Sequence, residues 1–250
     1  MDVIFDQHYL KDETVLDLSI ESSNIDKNDI ILEIGPGKGI LTKKILDKNP
    51  KKLISVEIDK NHKVILDTIE SNTLEIIYDN ALEVFDKLEF NKIIANIPYT
   101  ITEKLYSKII DKKVPFIILM HGIDFYKNIT QRDTRWKYFV PAFYDLTLLD
   151  TVLGDSFEPP TKVQSTLIKL ELKKEYSKFE LFIQMIFLKS HRSLKNTLIY
   201  SLVDSLSISK KEAKSMIQDF ELSPLLLEQK VTQIKNQDFV EIIEKIKNIF

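Results

Sequence analysis

The chain has 250 residues, 44% apolar and 29% charged, enough for one large α/β domain and a small second one. Its 35 basic and 38 acidic residues leave a net charge of −3, which argues mildly against a nucleic-acid binder, although a near-neutral chain still allows a local basic patch. It has no cysteine, which excludes disulfides, thiolate metal sites and cysteine nucleophiles, and its four histidines lack metal-ligand spacing, so no metal site is expected.

The opening MDVIFDQHYL is acidic and lacks the basic start and apolar core of a signal peptide. No apolar run approaches the roughly 20 residues of a membrane span, and a cytoplasmic protein is expected. A helix is expected over about 12–22. Residues 30–34, IILEI, form an apolar run around one acid, Glu33. Three glycines at two-residue spacing follow, Gly35, Gly37 and Gly39, and an amphipathic run begins at Ile40. This reads as a buried parallel strand turning through a glycine loop into its crossover helix. Glycine permits positive φ and lets a ligand approach the backbone closely. The spacing differs from the dinucleotide fingerprint G-x-G-x-x-G, although a nucleotide site remains an alternative. E-x-G-x-G-x-G resembles the first motif of S-adenosylmethionine-dependent methyltransferases.

Asn49-Pro50 breaks the helix over 41–48. The second strand, 53–58, ends in Glu57 and Asp59, with Glu57 22 residues beyond Gly35. An acid at the end of this strand accepts hydrogen bonds from ribose hydroxyls in doubly wound folds. A helix is expected over 60–71 and a third strand over 74–78, followed by Asp79-Asn80-Ala81-Leu82. Asn80 then stands at the carboxyl edge of the sheet, in reach of an adenine amino group. The fourth strand, 92–95, runs into Asn96-Ile97-Pro98-Tyr99. A helix over 101–111 and a continuously apolar fifth strand, 115–120, complete five alternations, the pattern of a parallel sheet with right-handed crossovers. Residues 122–128 read as a short helix or loop, and 131–138 (QRDTRWKY) as a polar, basic and aromatic stretch. Strands at 146–152 and 165–172 flank a proline-led loop at 157–163. Helices then follow at about 179–188, 194–205, 209–220 and 238–249, with Ser209 and Glu212 forming a capping box. The boundary is expected at 173–177, giving domains 1–175 and 176–250.

The tetrad at 96–99 suits methylation of an amine on a base. An adenine exocyclic amine is a poor nucleophile because its lone pair is delocalised into the ring. Accepting hydrogen bonds from its N–H groups favours the pyramidal, nucleophilic form, and the Asn96 side-chain oxygen and Ile97 carbonyl supply two acceptors. Pro98 stiffens the turn, and Tyr99 offers a face for the base to stack on, worth ~1–3 kcal/mol. Displacement at a sulfonium methyl needs positioning more than a strong base.

In order and spacing, DQHYL (6–10), EIGPGKGILT (33–42), VEID (56–59), DNAL (79–82), NIPY (96–99) and FEPPTKVQS (157–165) resemble the motifs of the rRNA adenine dimethyltransferases of KsgA-like and Erm type. HRSLKNTL (191–198) resembles their basic C-terminal segment more loosely. The resemblance implies a Rossmann-like methyltransferase with a mostly parallel seven-stranded sheet and a small all-helical C-terminal domain. It implies S-adenosylmethionine as cofactor, and methylation of two adjacent adenosines near the 3′ end of small-subunit rRNA; separately, a monomer with no DNA or membrane partner is expected.

By the same resemblance, Gln7, His8 and Leu10 close over the cofactor, and Gly35 and Gly37 approach its methionine part. Glu57 holds the ribose, Ile58 flanks the adenine, and Asn80 and Ala81 contact it. Asn96, Pro98 and Tyr99 hold the target base, Asn96 also counting among the cofactor-binding residues, and Phe125 stands where the family has a second residue lining the base pocket. The chain departs from the family at Asn80 (usually Asp), at Gly122-Ile123-Asp124 (usually Gln-Lys-Glu), at Asp6 (usually Gly) and in its acidic balance. The alternatives are a methyltransferase of the same fold acting on another RNA or protein amine, and a non-catalytic ribosome assembly factor. Lys189, His191, Arg192 and Lys195 read equally as phosphate contacts or a solvated helix face, and Trp136 as an RNA-stacking or a buried ring.

Overall fold

The computed structural model describes residues 8–250. A strand β1 (Tyr9–Leu10) and a helix α1 (Glu13–Glu21) lead into the glycine segment. Asp12 caps α1 by accepting the Thr14 N–H at 3.0 Å. The central region alternates as expected: β2 (Ile30–Ile34), α2 (Ile40–Leu46), β3 (Lys52–Val56), α3 (Lys63–Leu66), β4 (Leu74–Ile77), α4 (Ala81–Val84), β5 (Lys92–Asn96), α5 (Thr102–Lys112), β6 (Phe116–Gly122) and α6 (Ile123–Thr130). Then come α7 (Trp136–Phe143), β7 (Tyr144–Val152), β8 (Phe157–Glu158) and β9 (Ser165–Leu172). The chain ends in α8 (Lys178–Leu188), α9 (Leu194–Leu206), α10 (Lys210–Asp219), α11 (Pro224–Glu228) and α12 (Asn236–Lys247).

Seven strands form one sheet in the order β4-β3-β2-β5-β6-β9-β7, and β1 pairs antiparallel with β8 in a separate two-stranded ribbon. The five strands from β4 to β6 run parallel, and β9 is antiparallel to β6. The sheet is therefore mostly parallel and seven-stranded, a Rossmann-like methyltransferase architecture. Strands β2, β5 and β6 are apolar and buried along nearly their whole length, as strands covered on both faces must be. After β2 the chain builds outward through β3 and β4, then returns to place β5 on β2's other side. The carboxyl ends of β2 and β5 flank the switch point where open α/β sheets bind ligands.

The chain divides into two compact units. The first comprises the described residues up to Tyr126 together with Leu146–Leu172, with a core that includes Val15, Leu16, Ile31, Ile94, Ile118 and Leu167. The second comprises Lys127–Asp145 and Lys173–Phe250 and is helical. The expected division at 175 thus needs correction, because 127–145 belongs with the helices. The cause is the aromatic face of α7. Phe139 packs edge-on against Phe187 (centroids 5.1 Å apart) and Phe239 (5.3 Å), and the Gln184 amide donates to the Ala142 carbonyl at 2.7 Å. Capping boxes at Ser177 and Ser209 open α8 and α10.

Two further expectations change. The helix expected over 60–71 is a 3-10 turn, Lys60–His62, plus the single turn α3. It ends where the Thr68 hydroxyl bonds the Ile65 carbonyl at 2.6 Å, a side-chain bond that competes with the helix ladder. Trp136 is only 6% exposed, its ring edge-on to Phe139, so it offers no open face for stacking on RNA. Among the described residues no helix is long and apolar enough to cross a membrane, and no cluster of three or more His, Asp or Glu side chains could hold a metal ion.

Candidate active site

At the carboxyl edge of β2 the glycine loop takes positive φ at Gly35 (70°) and Gly37 (54°), which only glycine adopts without strain. The Gly35 N–H bonds the Val56 carbonyl of β3 at 2.9 Å, tying the loop to the neighbouring strand. A Cβ built on Gly37 would stand 2.9 Å from Cε1 of Tyr9, so the tyrosine ring lies directly over the loop. Pairing of β1 with β8 holds it there, with Tyr9 opposite Glu158 and Leu10 opposite Phe157. His8 shares this tie, with Nδ1 2.8 Å from the Pro159 carbonyl.

The loop forms one wall of a cavity of about 590 Å³, within the usual range of small-molecule sites. The cavity brings together His8, Leu10, Gly35, Gly37, Glu57 and Ile58 with Asn80, Ala81, Asn96, Pro98 and Tyr99. Gln7 lies outside the described residues. Phe125 does not line the cavity. It is 7% exposed, packed on Tyr106 (centroids 4.6 Å) and His121 (5.6 Å).

Behind Phe125, His121 is fully buried, with Nε2 3.0 Å from the Tyr106 hydroxyl and Nδ1 3.0 Å from the Gly122 carbonyl. Burial lowers its pKa to about 4, against the opposing pull of the Gly122 carbonyl. A Cβ built on Gly122 would stand 3.2 Å from the Tyr99 ring, so glycine here lets that ring rest against the chain.

The acids at the site differ in environment. Glu57 is 4% exposed and accepts the Gly37 N–H at 3.0 Å and the Asp59 N–H at 2.8 Å, one at each oxygen. Each carboxylate oxygen retains capacity for a further donor. Glu33 is 1% exposed. Its Oε2 accepts from Thr42 (2.8 Å) and Ser55 (2.7 Å), while Oε1 is buried without a partner. Burial raises its pKa to about 7, with the charge of Glu57 adding to the rise and the two hydroxyls opposing it. Asn80 caps α4 by accepting the Leu82 N–H at 3.0 Å, and its oxygen keeps a second lone pair.

Opposite the glycine loop, a Cβ built on Gly35 would stand 3.8 Å from the Asn96 backbone carbonyl, so the two loops meet at the switch point. Asn96 is half-buried, lines the cavity and makes no side-chain hydrogen bond among the described residues. The Ile97 N–H bonds the Met120 carbonyl at 3.0 Å, anchoring the tetrad to β6. Tyr99 is 40% exposed, and its hydroxyl lies 2.9 Å from Ser165 Oγ. An open ring face beside an unpaired amide suits a flat, amine-bearing ligand.

The model of the family described as ribosomal RNA adenine dimethylase matches residues 3–246. This chain belongs to that family. A probable ribosomal RNA small subunit methyltransferase A from Methanococcus aeolicus is 32% identical over 86% of this chain and 84% of its own length. The ribosomal RNA small subunit methyltransferase A of Mycoplasmopsis pulmonis is 31% identical over 97% of this chain and 98% of its own. Among solved structures, a dimethyladenosine transferase from Plasmodium falciparum superposes with a TM-score of 0.65 at 25% identity, covering 96% of this chain and 98% of that one. The 23S rRNA methyltransferase ErmE shares the fold, with a TM-score of 0.61 at 16% identity over 96% of this chain and 99% of its own.

Two residues that the sequence reading had not singled out belong to this site. Tyr9 covers Gly37, and His62 lies 2.8 Å from the Tyr9 hydroxyl. The signal for Tyr9 lay in its position between His8 and Leu10 in the first motif. His62 had none beyond its place five residues after Glu57.

Proposed function

We propose that the chain transfers methyl groups from S-adenosylmethionine to the exocyclic amino groups of two adjacent adenosines near the 3′ end of small-subunit rRNA. The observation that carries this reading is the unpaired Asn96 amide at the switch point, beside the open face of Tyr99 and across from the Gly35 loop.

The residues fit the cofactor. The cavity has suitable volume, and two of its buried wall groups, Glu33 and Glu57, are acids, one with an unpartnered oxygen. Such a wall offers polar acceptors to a ligand carrying positive charge at its sulfonium and ammonium. Gly35 and Gly37 would let the methionine part approach the backbone, Glu57 would accept from the ribose, Ile58 would flank the adenine, and Asn80 and Ala81 would meet its edge. His8 and Leu10, held by the β1–β8 ribbon, would close the wall. When bound, S-adenosylmethionine supplies an electrophilic methyl group. Asn96 Oδ1 and the Ile97 carbonyl would accept from the target amine, and Tyr99 would stack on the base. Phe125, buried against Tyr106 and His121, takes no part in this reading. The relatives' names support an rRNA substrate, and with it action in the cytoplasm, where we take the chain to work as a monomer.

The test is methyl transfer from labelled S-adenosylmethionine to unmethylated small ribosomal subunits, with the labelled nucleotides identified. Dimethyladenosine at two neighbouring positions is expected. Cofactor binding without transfer would move the reading to another amine or to an assembly role.

A further inference from the structure

Glu57 is a buried acid that two backbone N–H groups orient from one side. Beside Oε2, the oxygen that accepts from Gly37, stands a histidine. His62 is 7% exposed, and its Nδ1 lies 3.3 Å from Glu57 Oε2 without completing a hydrogen bond. Its Nε2 lies 2.8 Å from the Tyr9 hydroxyl. These two contacts select one tautomer. A carboxylate only accepts, so in the neutral ring a lone pair on Nδ1 would face a second acceptor; of the two tautomers the contacts favour the one with its proton on Nδ1. Nε2 is then left as an acceptor, and the Tyr9 O–H donates to it. The same tyrosine covers Gly37, whose N–H donates to Glu57 Oε2 at 3.0 Å. Phenol, imidazole, carboxylate and glycine loop thus close a ring of contacts around the carboxylate.

We infer that His62 is a positioning residue for the sugar of the bound ligand, acting through Glu57, with Tyr9 fixing its tautomer. This rests on the adenosine-cofactor reading above. Sugar hydroxyls that donate to Glu57 draw the carboxylate into the cavity, and the Nδ1–H, 3.3 Å from Oε2, supplies a favourable dipole that limits its swing. Recognition of the sugar and seating of Tyr9 over the loop are then one cooperative unit. An aliphatic residue at 62 would leave the carboxylate without its imidazole and the Tyr9 hydroxyl without its acceptor.

The test is equilibrium binding of S-adenosylhomocysteine to the full chain by calorimetry. His62→Leu is expected to weaken binding about tenfold, and His62→Asn, which keeps an N–H on the Nδ1 side, to restore most of the loss. In a Glu57→Gln background His62→Leu should add less than twofold, because coupled neighbours are not additive. The 2′,3′-dideoxy analogue should lose less affinity in His62→Leu than in the parent. Full additivity with Glu57→Gln, or His62→Asn no better than His62→Leu while both melt like the parent, would overturn the inference and leave the cofactor reading intact. No binding of S-adenosylhomocysteine by the parent protein would overturn the cofactor reading itself, and the inference with it.

Discussion

The backbone carbonyl of Asn96 and the α-carbon of Gly35 face each other at the switch point, close enough that a Cβ on the glycine would lie 3.8 Å from the oxygen. The proposed methyl donor and acceptor sites therefore share one seam. Asn96→Ala removes an acceptor that the target amine would use. It should lower transfer by at least about 100-fold, the scale of losing a preorganised hydrogen-bonding group. Binding of S-adenosylhomocysteine should weaken only modestly. Single-turnover transfer alongside calorimetry checks the split, and near-normal turnover would remove the tetrad from the mechanism.

Gly37→Ala should act at the other wall. At φ 54° an alanine is strained, and its methyl would stand 2.9 Å from the Tyr9 ring. Relief requires Tyr9 to leave the loop. Cofactor affinity should fall by more than about tenfold, with a stability cost of roughly 1–2 kcal/mol. Calorimetry and urea unfolding separate the two effects.

Two buried groups should pull stability in opposite directions with pH. Glu33 is raised from 4.5 to about 7, so the folded protein keeps a proton that the unfolded chain releases. Its contribution therefore falls as pH rises from about 4.5 to 7. His121 is lowered from 6.5 to about 4, so the unfolded chain takes up a proton that the folded protein refuses, and its contribution rises from about 4 to 6.5. Each swing is on the order of 3 kcal/mol, and the two nearly cancel where their ranges overlap. Urea unfolding between pH 4.5 and 6.5 should show a rising slope in Glu33→Gln and a falling one in His121→Gln. Identical slopes in both variants would contradict the assignment.

Lys92 and Asp29 form a buried pair at 2.7 Å, and the lysine also donates to the Ser23 and Asn24 carbonyls. Burial pushes the Asp29 carboxyl up, but its bonds to Lys92, the Asp26 N–H and Asn91 outweigh that and hold it below its usual value. Lys92→Met leaves a buried charge unpaired and should cost about 3–5 kcal/mol. Adding Asp29→Asn should recover part of the loss, as read by denaturant midpoints.

The parallel strands could be read from sequence because a strand buried on both faces must be apolar along nearly its whole length, as 93–95 is and as 30–34 is apart from Glu33. The acid and amide after each strand marked the sheet edge where ligands bind, so most of the cavity wall was also legible. The β1–β8 ribbon was not, since two-residue strands carry no periodicity. Helix α7 was hidden by its polar approach and by Pro141, a residue that normally ends a helix. Phe125 was placed by resemblance alone. Its spacing from Ile129, four residues on and also buried, is the pattern of a helix face turned to the core.

The course of the chain through α7 bears on how the protein can be taken apart. Polypeptide 127–145 lies between segments of the sheet unit yet belongs with the helices. A cut after Leu172 would therefore not free the sheet unit alone, because 127–145 of the helical unit would stay attached to it. It would strand the aromatic face of α7 without Phe187 and Phe239, leaving an adhesive surface on the fragment. Swapping helical units between relatives needs two exchanged segments, so recombination at a single crossover would yield mismatched chimaeras.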